Sequence, residues 1–390
     1  MITEQIQEAL RESGIDGWLF FDHHRRDPLA YRILGIPGDA QVSRRWYYFL
    51  PANGEPRKLV HRIESGALDS LPGEKQSYSS WADQQNKLGR ILSGCSRVAM
   101  QYSPLCAIPY VSMVDAGTLE LVRQAGVEVV SSADLIQQFE ARWTENQLDL
   151  HLEAGKLVDR ARAEAFAFVS SQLQSGTELS EYEVQQFIRE RFLKFGLVTD
   201  HGPIVGVNAN ASDPHYEPTR ERTSYIHPGD VVLIDLWAKL AKPDAVYYDV
   251  TWTGFCGEAA PDRVQKVFEI VRDARKRAST FAIRKAAAGE PFRGYEVDDV
   301  TRDLITDAGY GEFFFHRTGH SIGAEVHGSG ANMDNLESHD ERRVIAGTCF
   351  SVEPGIYLPE FGIRSEVNVY IGAGFGQVTG EEQEQLVRIV

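Results

Sequence analysis

Hydrophobic and polar positions recur with helical spacing over residues 2–13, and the apolar run Trp18-Leu-Phe-Phe21 follows as a short buried strand. Two further apolar runs, 45–51 and 57–61, flank Asn53-Gly54. Because Asn-Gly tolerates the positive φ of a tight turn, this pattern predicts a β-hairpin. Helices and strands continue to alternate to about residue 140. We therefore predict an α/β domain over residues 1–147 and a second domain over residues 148–390.

The second domain contains long amphipathic helices and an internal repeat. A shift of 113 residues aligns Arg162 with Arg275 and Gly176 with Gly289, among eleven identities over the 39 positions 158–196. Chance alone would give about two or three identities over this length. Each copy has two predicted helices, then a segment with a histidine, then strands. The pattern predicts an α+β domain in which a pseudo-twofold axis relates the two copies.

Composition excludes several classes of partner. The 390 residues contain 40 basic and 56 acidic side chains, a formal net charge of −16. Nucleic acids and anionic membranes need clustered Lys and Arg, so we expect neither as a partner. The first twenty residues lack a secretory signal, no apolar run approaches about 18 residues, and the four cysteines form no framework. These features predict a cytoplasmic protein with reduced thiols.

Two aspartates lie on neighbouring apolar runs that have the pattern of a hairpin. Asp235 lies in the run 231–240 and Asp249 in the run 245–255, and the turn-forming segment Ala241-Lys-Pro-Asp244 joins them. A register with Asp235 opposite Asp249 would centre the turn on residue 242, inside that segment. Because like charges directly opposed in a sheet destabilise it, a cation must compensate.

Two glutamates repeat this arrangement in the second copy. A register with Glu353 opposite Glu366 centres the turn on Pro359-Glu360. Four carboxylates that converge among apolar residues imply two divalent metal ions, which can keep all four ionised. The best candidate for an imidazole ligand is His320, because Gly319 and Gly323 on either side allow close approach of the backbone.

The stretch from about 149 to 380 resembles metallopeptidase family M24, the "pita-bread" family that includes methionine aminopeptidase, Xaa-Pro aminopeptidase and Xaa-Pro dipeptidase (prolidase). Three phrases match its signatures: His316-x-x-Gly-His320-x-x-Gly323, Val352-Glu-Pro-Gly-Ile-Tyr357 and Gly362-Ile-Arg-Ser-Glu366. The family's five metal ligands are matched in order by Asp235, Asp249, His320, Glu353 and Glu366. The N-terminal domain resembles the extra domain of the proline-specific branch.

The resemblance implies a role for each matching residue. Asp235 would bind one or both metal ions, Asp249 and Glu366 would bridge them, and His320 and Glu353 would complete the coordination. Glu353 would also carry the proton to the leaving group. Three histidines would contact the scissile carbonyl or the proline side of the substrate: His215, His316 and His327. Three other residues would support the metal carboxylates: Thr251, Tyr357 and Arg364.

Three departures from the family pattern concern substrate preference more than metal binding. The spacing of 14 between Asp235 and Asp249 is three longer than expected, so we expect the extended hairpin loop to reshape the pocket rim. Trp252 stands where the family usually has Arg, and Val367 where it usually has Asp. All five ligand positions are retained.

The resemblance implies hydrolysis of small peptides with proline at the second position, most simply of Xaa-Pro dipeptides. It also implies two divalent ions per chain, Mn²⁺ first and Co²⁺ or Zn²⁺ as alternatives, and a homodimer. Two other functions stay open: an Xaa-Pro aminopeptidase that acts on longer peptides, and a non-peptidase or non-catalytic binding protein. A dipeptidase would need an arginine for the free carboxylate of proline, and the candidates are Arg317, Arg364, Arg25, Arg26, Arg44 and Arg45.

Overall fold

Residues 2–37 and 42–390 are described by a computed structural model, in which the chain divides into two units between Glu140 and Ala141. The boundary predicted from the sequence, 147/148, falls inside the helix Glu145–Ser175. That helix begins earlier because Thr144 and Gln147 form a capping box, in which each side chain accepts a hydrogen bond from the other's backbone N–H.

The first unit has mixed α/β structure. Its helices are α1 Ile2–Glu12, α2 Pro28–Leu34, α3 Trp81–Ile91, α4 Ala116–Gln124 and α5 Ala133–Ile136, with short 3₁₀ turns at Arg62–Glu64, Pro104–Cys106 and Pro109–Val111. Its strands are β1 Gly17–Asp22, β2 Trp46–Pro51, β3 Arg57–His61, β4 Glu74–Tyr78, β5 Arg97–Met100 and β6 Glu128–Ser131. A π-helical turn, Gln137–Ala141, follows α5.

Among the described residues of the first unit, the strands form one sheet in the order β4-β3-β2-β1-β5-β6. Only β2 runs antiparallel to its neighbours. The predicted hairpin is confirmed, because Tyr47 pairs with Leu59 and the turn between β2 and β3 contains Asn53-Gly54, with Gly54 at φ 96°. Both faces of the sheet are covered by apolar side chains of the helices.

The second unit combines long helices with several small sheets. Its helices are α6 Glu145–Ser175, α7 Glu181–Phe195, α8 Asp262–Ala288 and α9 Gly294–Asp307, with 3₁₀ turns at Asn208–Ser212 and Gly311–Phe313. Its strands are β7 Leu197–Val198, β8 Ile204–Val207, β9 Val231–Leu240, β10 Tyr248–Phe255, β11 Ser321–Ile322, β12 Thr348–Val352, β13 Gly355–Tyr357, β14 Gly362–Arg364, β15 Val367–Gly372, β16 Phe375–Val378 and β17 Val387–Arg388.

Aligned positions of the sequence repeat cap the helices of this unit in the same way. Gly176 ends α6 at φ 69° and Gly289 ends α8 at φ 66°, a left-handed conformation that glycine adopts without the steric cost of a Cβ. The Glu183 carboxylate accepts a hydrogen bond from the first backbone N–H before α7, and the Glu296 carboxylate does so before α9. Each long helix is thus followed by a second helix in the same local geometry.

The long helix of each pair packs against strands that carry candidate ligands or end next to one. Apolar side chains of α6 pack on β9 and β10, and those of α8 pack on β12 and β15. The sheets are β17-β10-β9-β7 with β8 on β9, β11-β12-β15-β16, and β13-β14. In the part of the chain that the structure describes, every helix is too short or too polar to cross a membrane.

Candidate metal centre

The β9–β10 hairpin carries the two candidate aspartates, but its register differs from the prediction. Asp235 pairs with Thr251, and Asp249 pairs with Trp237, so the two aspartates are diagonal neighbours and not opposed. The prediction was wrong because the connection runs over residues 241–247, with Asp244 at φ 60°, and is longer than a tight turn. The shift is two residues, so both carboxylates stay on one face of the hairpin without lying directly opposite each other.

The register predicted for the two glutamates is confirmed on both sides of them. Val352 pairs with Val367 in the β12–β15 ladder, and Gly355 pairs with Arg364 in the β13–β14 ladder. Both ladders share one alignment, which puts Glu353 opposite Glu366 at the gap between them. A hydrogen bond of 3.0 Å from the Glu366 N–H to the Thr251 carbonyl then joins this hairpin to β10.

His320 meets the carboxylates at the centre of these elements. Ligand atoms of Asp249, His320 and Glu366 all lie within 4.8 Å of one another, and all three residues are buried. The Nε2 atom of His320 is 3.6 Å from Asp249 Oδ2 and 3.4 Å from Glu353 Oε1. Its Nδ1 atom lies 3.1 Å from the Ser321 carbonyl, so a proton on Nδ1 leaves the Nε2 lone pair free for a metal ion.

A glycine beside His320 lets the backbone approach β12. A Cβ at Gly319 would stand 1.9 Å from the Ser351 carbonyl oxygen, so the chain can pass only with glycine there. The His320 N–H donates to Ser351 Oγ at 3.0 Å, and Ser351 Oγ donates to Glu353 at 3.1 Å. The expected close approach is confirmed at Gly319, whereas a Cβ at Gly323 would meet nothing within 4 Å. Ser351 hydrogen-bonds with two candidate ligands, His320 and Glu353.

Arg364 is the cation that compensates part of the negative charge. Its buried guanidinium forms an ion pair with Asp235 and donates to the Thr251 hydroxyl at 3.0 Å and to the Tyr357 hydroxyl at 3.0 Å. The Thr251 hydroxyl in turn donates to Glu366 Oε2 at 2.8 Å. Arg364 therefore holds Asp235 directly and Glu366 through Thr251.

The three predicted histidines of the pocket occupy different places. The His316 Nε2 atom accepts from the Tyr357 hydroxyl at 2.7 Å, so His316 reaches the ligands only through Tyr357 and Arg364. The His327 ring packs edge to face on the His320 ring with centroids 4.3 Å apart. His215 is exposed and lies near His327. His327 and His215 thus lie on the solvent side of the cluster.

The four carboxylates resist ionisation while the site contains only protein. Burial, followed by repulsion from neighbouring carboxylates, raises the pKa of Asp249 and of Glu366 well above its usual value. Burial also raises the pKa of Asp235 and raises that of Glu353 to about 7, although Arg364 opposes both shifts. Burial lowers the pKa of His320 well below its usual value. A bound divalent cation would favour the ionised carboxylates and the neutral imidazole.

Two oxygen atoms test directly whether metal ions fit these residues. Asp249 Oδ1 and Glu366 Oε1 are buried and have no hydrogen-bond partner among the described residues. Buried carboxylate oxygens are nearly always paired, so an unpaired one needs an explanation such as a bound ion. The donor set of carboxylates with one imidazole suits divalent ions such as Mn²⁺, Co²⁺ or Zn²⁺. The residues therefore fit the metal site predicted from the sequence.

Two residues that support the site were missed by the sequence reasoning. Besides Ser351, Asn368 exchanges two hydrogen bonds with the Asp249 backbone: its Nδ2 donates to the carbonyl at 2.6 Å, and its Oδ1 accepts from the N–H at 3.3 Å. Ser351 lies two positions before Glu353, and Asn368 two positions after Glu366. Since side chains on one face of a strand recur every second residue, this spacing is the signal that could have identified them.

The two unusual residues of the family pattern lie away from the metal ligands. Trp252 alternates to the face of β10 opposite Asp249, where the Arg162 guanidinium lies 3.5 Å from the centre of its ring. Val367 is buried in the apolar core that β15 shares with α8. Neither replacement places a side chain among the ligands.

Comparison with known proteins gives a consistent result. Residues 149–373 match metallopeptidase family M24. The chain is 31% identical over 254 residues to an Xaa-Pro dipeptidase of Lactobacillus delbrueckii subsp. lactis, an alignment that covers 65% of this chain and 63% of that protein's length. It is 28% identical over 320 residues to a probable dipeptidase, PepE, of Mycobacterium bovis, and this alignment covers 81% of this chain and 78% of that protein's length.

Solved structures show the same fold over nearly the whole chain. Dipeptidase PepE from Mycobacterium ulcerans has a TM-score of 0.74 at 23% identity and covers 100% of this chain and 97% of its own. Prolidase from Thermococcus sibiricus has a TM-score of 0.66 at 23% identity, and the superposition covers 99% of this chain and 98% of that chain. An X-prolyl aminopeptidase from Caenorhabditis elegans has a TM-score of 0.68 at 16% identity, covering 97% of this chain and 61% of that chain. It is described as a cytosolic enzyme with a di-nuclear active site.

Proposed function

This chain belongs to metallopeptidase family M24, as the motif resemblance predicted, and we propose that it is an Xaa-Pro dipeptidase that uses two divalent metal ions. The observation that carries the proposal is the buried cluster of Asp249, His320 and Glu366, in which two carboxylate oxygens have no partner among the described residues. The names of the relatives, Xaa-Pro dipeptidase and probable dipeptidase, support the substrate class.

In this proposal five residues hold the metal ions: Asp235, Asp249, His320, Glu353 and Glu366. When bound, two divalent ions lower the pKa of a water molecule and stabilise negative charge on the oxygen of the scissile carbonyl. Mn²⁺ is proposed as the metal because the donors are mostly carboxylate oxygens, with Co²⁺ or Zn²⁺ as alternatives.

Glu353 is the proposed proton carrier. The nitrogen of an Xaa-Pro bond carries no hydrogen, and it must receive a proton before it can leave as an amine. Among the four carboxylates Glu353 is the least buried, with 17% of its side chain exposed, and it lies 3.4 Å from His320. Exposure lets Glu353 reach a bound peptide, while Ser351 fixes its carboxylate by a hydrogen bond.

Histidines on the solvent side of the cluster are proposed to orient the peptide. Although the His327 side chain is exposed, partial desolvation and, after it, the nearby Arg317 guanidinium lower its pKa, so at neutral pH it is uncharged and offers one N–H to a carbonyl oxygen. His215 is proposed to act beside it. His316 is instead held by Tyr357, which also accepts from Arg364, so these residues fix the carboxylates and the pocket wall.

The length of the substrate tests the proposal. The metal-loaded enzyme should hydrolyse Ala-Pro with a kcat/KM at least about tenfold above that for Ala-Pro-Ala, because a dipeptidase pocket closes behind proline and binds its free carboxylate. Ala-Ala serves as the control for proline. Rapid cleavage of the tripeptide alone would favour the aminopeptidase, and cleavage of none of these peptides would favour a non-peptidase or binding protein.

Three further properties belong to the same proposal. A homodimer is proposed from the family resemblance and a cytoplasmic location from the scattered pattern of the four cysteines, and the C. elegans protein is described as cytosolic. A pseudo-twofold relation between the two halves of the second unit is supported by the matching caps, such as Gly176 with Gly289 and Glu183 with Glu296.

A further inference from the structure

Two buried arginines occupy aligned positions of the sequence repeat and both bind the C-terminal segment Glu381–Glu384. Arg162 on α6 is 2% exposed and Arg275 on α8 is 0% exposed. Arg162 forms ion pairs with Asp159 at 2.8 Å and with Glu381 at 2.6 Å. Arg275 lies 3.5 Å from Glu382 and 3.8 Å from Glu384. Since buried charges are costly unless paired, both arginines have a structural reason to hold this segment.

Of these two arginines, only Arg275 also hydrogen-bonds to the segment between β14 and β15, which contains Glu366. Its Nη1 atom donates to Ser365 Oγ at 2.8 Å and to the Gln383 carbonyl at 3.0 Å. Ser365 is buried and lies between Arg364, which binds Asp235, and the ligand Glu366. One guanidinium therefore ties the C-terminal segment to the turn between β14 and β15.

Gln383 makes a second connection from the same segment to the site. Its fully buried amide exchanges hydrogen bonds with the Thr253 backbone, accepting from the N–H at 3.0 Å and donating to the carbonyl at 2.6 Å. The Thr253 hydroxyl donates to the Arg364 carbonyl at 2.9 Å. Gln383 thus holds the end of β10 and, through Thr253, the backbone of Arg364.

We propose that Arg275 on α8 and Gln383 in the C-terminal segment are positioning residues of the metal centre, which fix Arg364 and Glu366 through Ser365 and Thr253. The inference rests on the proposed function, since the group that is positioned is the metal-binding carboxylate. Outer partners of metal ligands fix ligand geometry, and their loss typically costs 10–100-fold in metal affinity or activity. Neither Arg275 nor Gln383 touches the substrate or the metal in this account.

Arg162 provides a matched control for the buried charge. It is equally buried, it pairs with the same segment, and its Nη atoms bond to Asp159 and Glu381. Its contact with β10 is made to Trp252, on the face away from the ligands. A purely structural role would therefore make Arg162→Lys and Arg275→Lys equivalent, whereas positioning would separate them.

The experiment compares wild type, Arg275→Lys, Ser365→Ala and Arg162→Lys as full-length proteins. For each, the Kd for Mn²⁺ is measured by calorimetric titration of the metal-free protein, kcat and KM are measured with Ala-Pro, and Tm is measured without metal. We expect Arg275→Lys and Ser365→Ala to weaken Mn²⁺ binding and to lower kcat by roughly tenfold or more. Arg162→Lys should lower Tm but leave the Kd and kcat within about twofold of wild type.

Ser365→Ala keeps the test decisive if Arg275→Lys fails to fold, since it removes one hydroxyl and leaves Arg275 with Gln383. The double variant Arg275→Lys/Ser365→Ala should bind Mn²⁺ no more weakly than Arg275→Lys alone. Both substitutions break the same hydrogen bond, the one between Arg275 and Ser365, so their effects on binding should not add. A Kd and kcat for Ser365→Ala equal to those of wild type would overturn the inference. A wild type that neither binds Mn²⁺ nor cleaves Ala-Pro would instead reject the proposed function.

Discussion

Asp249→Asn should abolish peptide hydrolysis while making the metal-free protein more stable. The change removes the negative charge of a proposed metal ligand whose Oδ1 has no hydrogen-bond partner among the described residues. Loss of outer partners already costs 10–100-fold, so loss of this ligand should lower kcat/KM by more than about a hundredfold. We expect the variant to retain fewer metal ions than wild type, measured by elemental analysis of the reconstituted protein.

The gain in stability should depend on pH in a defined direction. Burial raises the pKa of Asp249 well above its usual value of about 3.9, so the folded metal-free protein favours the neutral acid. The stability that protonation provides is present below the unfolded pKa and is lost as the pH rises through the folded one. Asparagine does not ionise and avoids this loss. The free energy of unfolding of the metal-free variant should therefore exceed that of metal-free wild type by about 1–3 kcal/mol at pH 8 and by less at pH 5.

A matched control for this change lies in the same hairpin. Asp244→Asn makes the same chemical replacement at an exposed loop position with φ 60°, a conformation that asparagine tolerates. Its activity and stability should stay close to those of wild type. Full activity of Asp249→Asn, or a metal-free form less stable than wild type at pH 8, would contradict the assignment of Asp249 as a ligand in a crowded carboxylate cluster.

Arg364→Met should destabilise the metal-free protein by about 3–5 kcal/mol at pH 8, because it removes the cation from a buried ion pair and leaves Asp235 uncompensated. It also removes the donors to Thr251 and Tyr357, so we expect activity to fall at least about tenfold even when metal is bound. Equilibrium unfolding in urea and assays with Ala-Pro measure the two effects.

This loss of stability should shrink as the pH falls. Arg364 lowers the pKa of Glu353 from the still higher value that burial alone would give, so without Arg364 this carboxyl stays protonated to higher pH. Protonation removes repulsion between the carboxylates of the cluster. The difference in the free energy of unfolding between Arg364→Met and wild type should therefore be smaller at pH 5.5 than at pH 8. Arg263→Met is the control, since Arg263 pairs with Glu360 at 3.3 Å on the surface and should contribute less than about 1 kcal/mol. Equal losses for the two variants would contradict the role given to Arg364.

The candidate ligands could be selected from the sequence because carboxylates in paired strands and the motif around His320 are local features. The β13–β14 register was also predictable, since the turn between Leu358 and Phe361 is short and its ends are hydrogen-bonded. The β9–β10 register was not, because turn-forming residues over 241–244 locate a loop but do not define how many residues it contains. A loop that continues to residue 247 moved the pairing by two positions.

Contacts between distant parts of the chain were beyond sequence reasoning. The repeat aligned Arg162 with Arg275, but it could not indicate that Arg275 bonds to Ser365, 90 residues away, or that Gln383 pairs with Thr253, 130 residues away. Such partners depend on how the helices pack on the sheets, which local pattern does not specify. The position of Trp252 likewise depends on the strand geometry, since β10 turns its ring away from Asp249 and toward Arg162.

The most direct test of a two-metal centre is the metal content of the wild type and of Asp249→Ala after chelation, reconstitution with Mn²⁺ and removal of free metal. Two ions per wild-type chain are predicted, with activity toward Ala-Pro that is lost on chelation and restored as the ions return, and fewer ions in the variant. Less than one ion per wild-type chain after reconstitution would contradict the account and favour a metal-free binding protein.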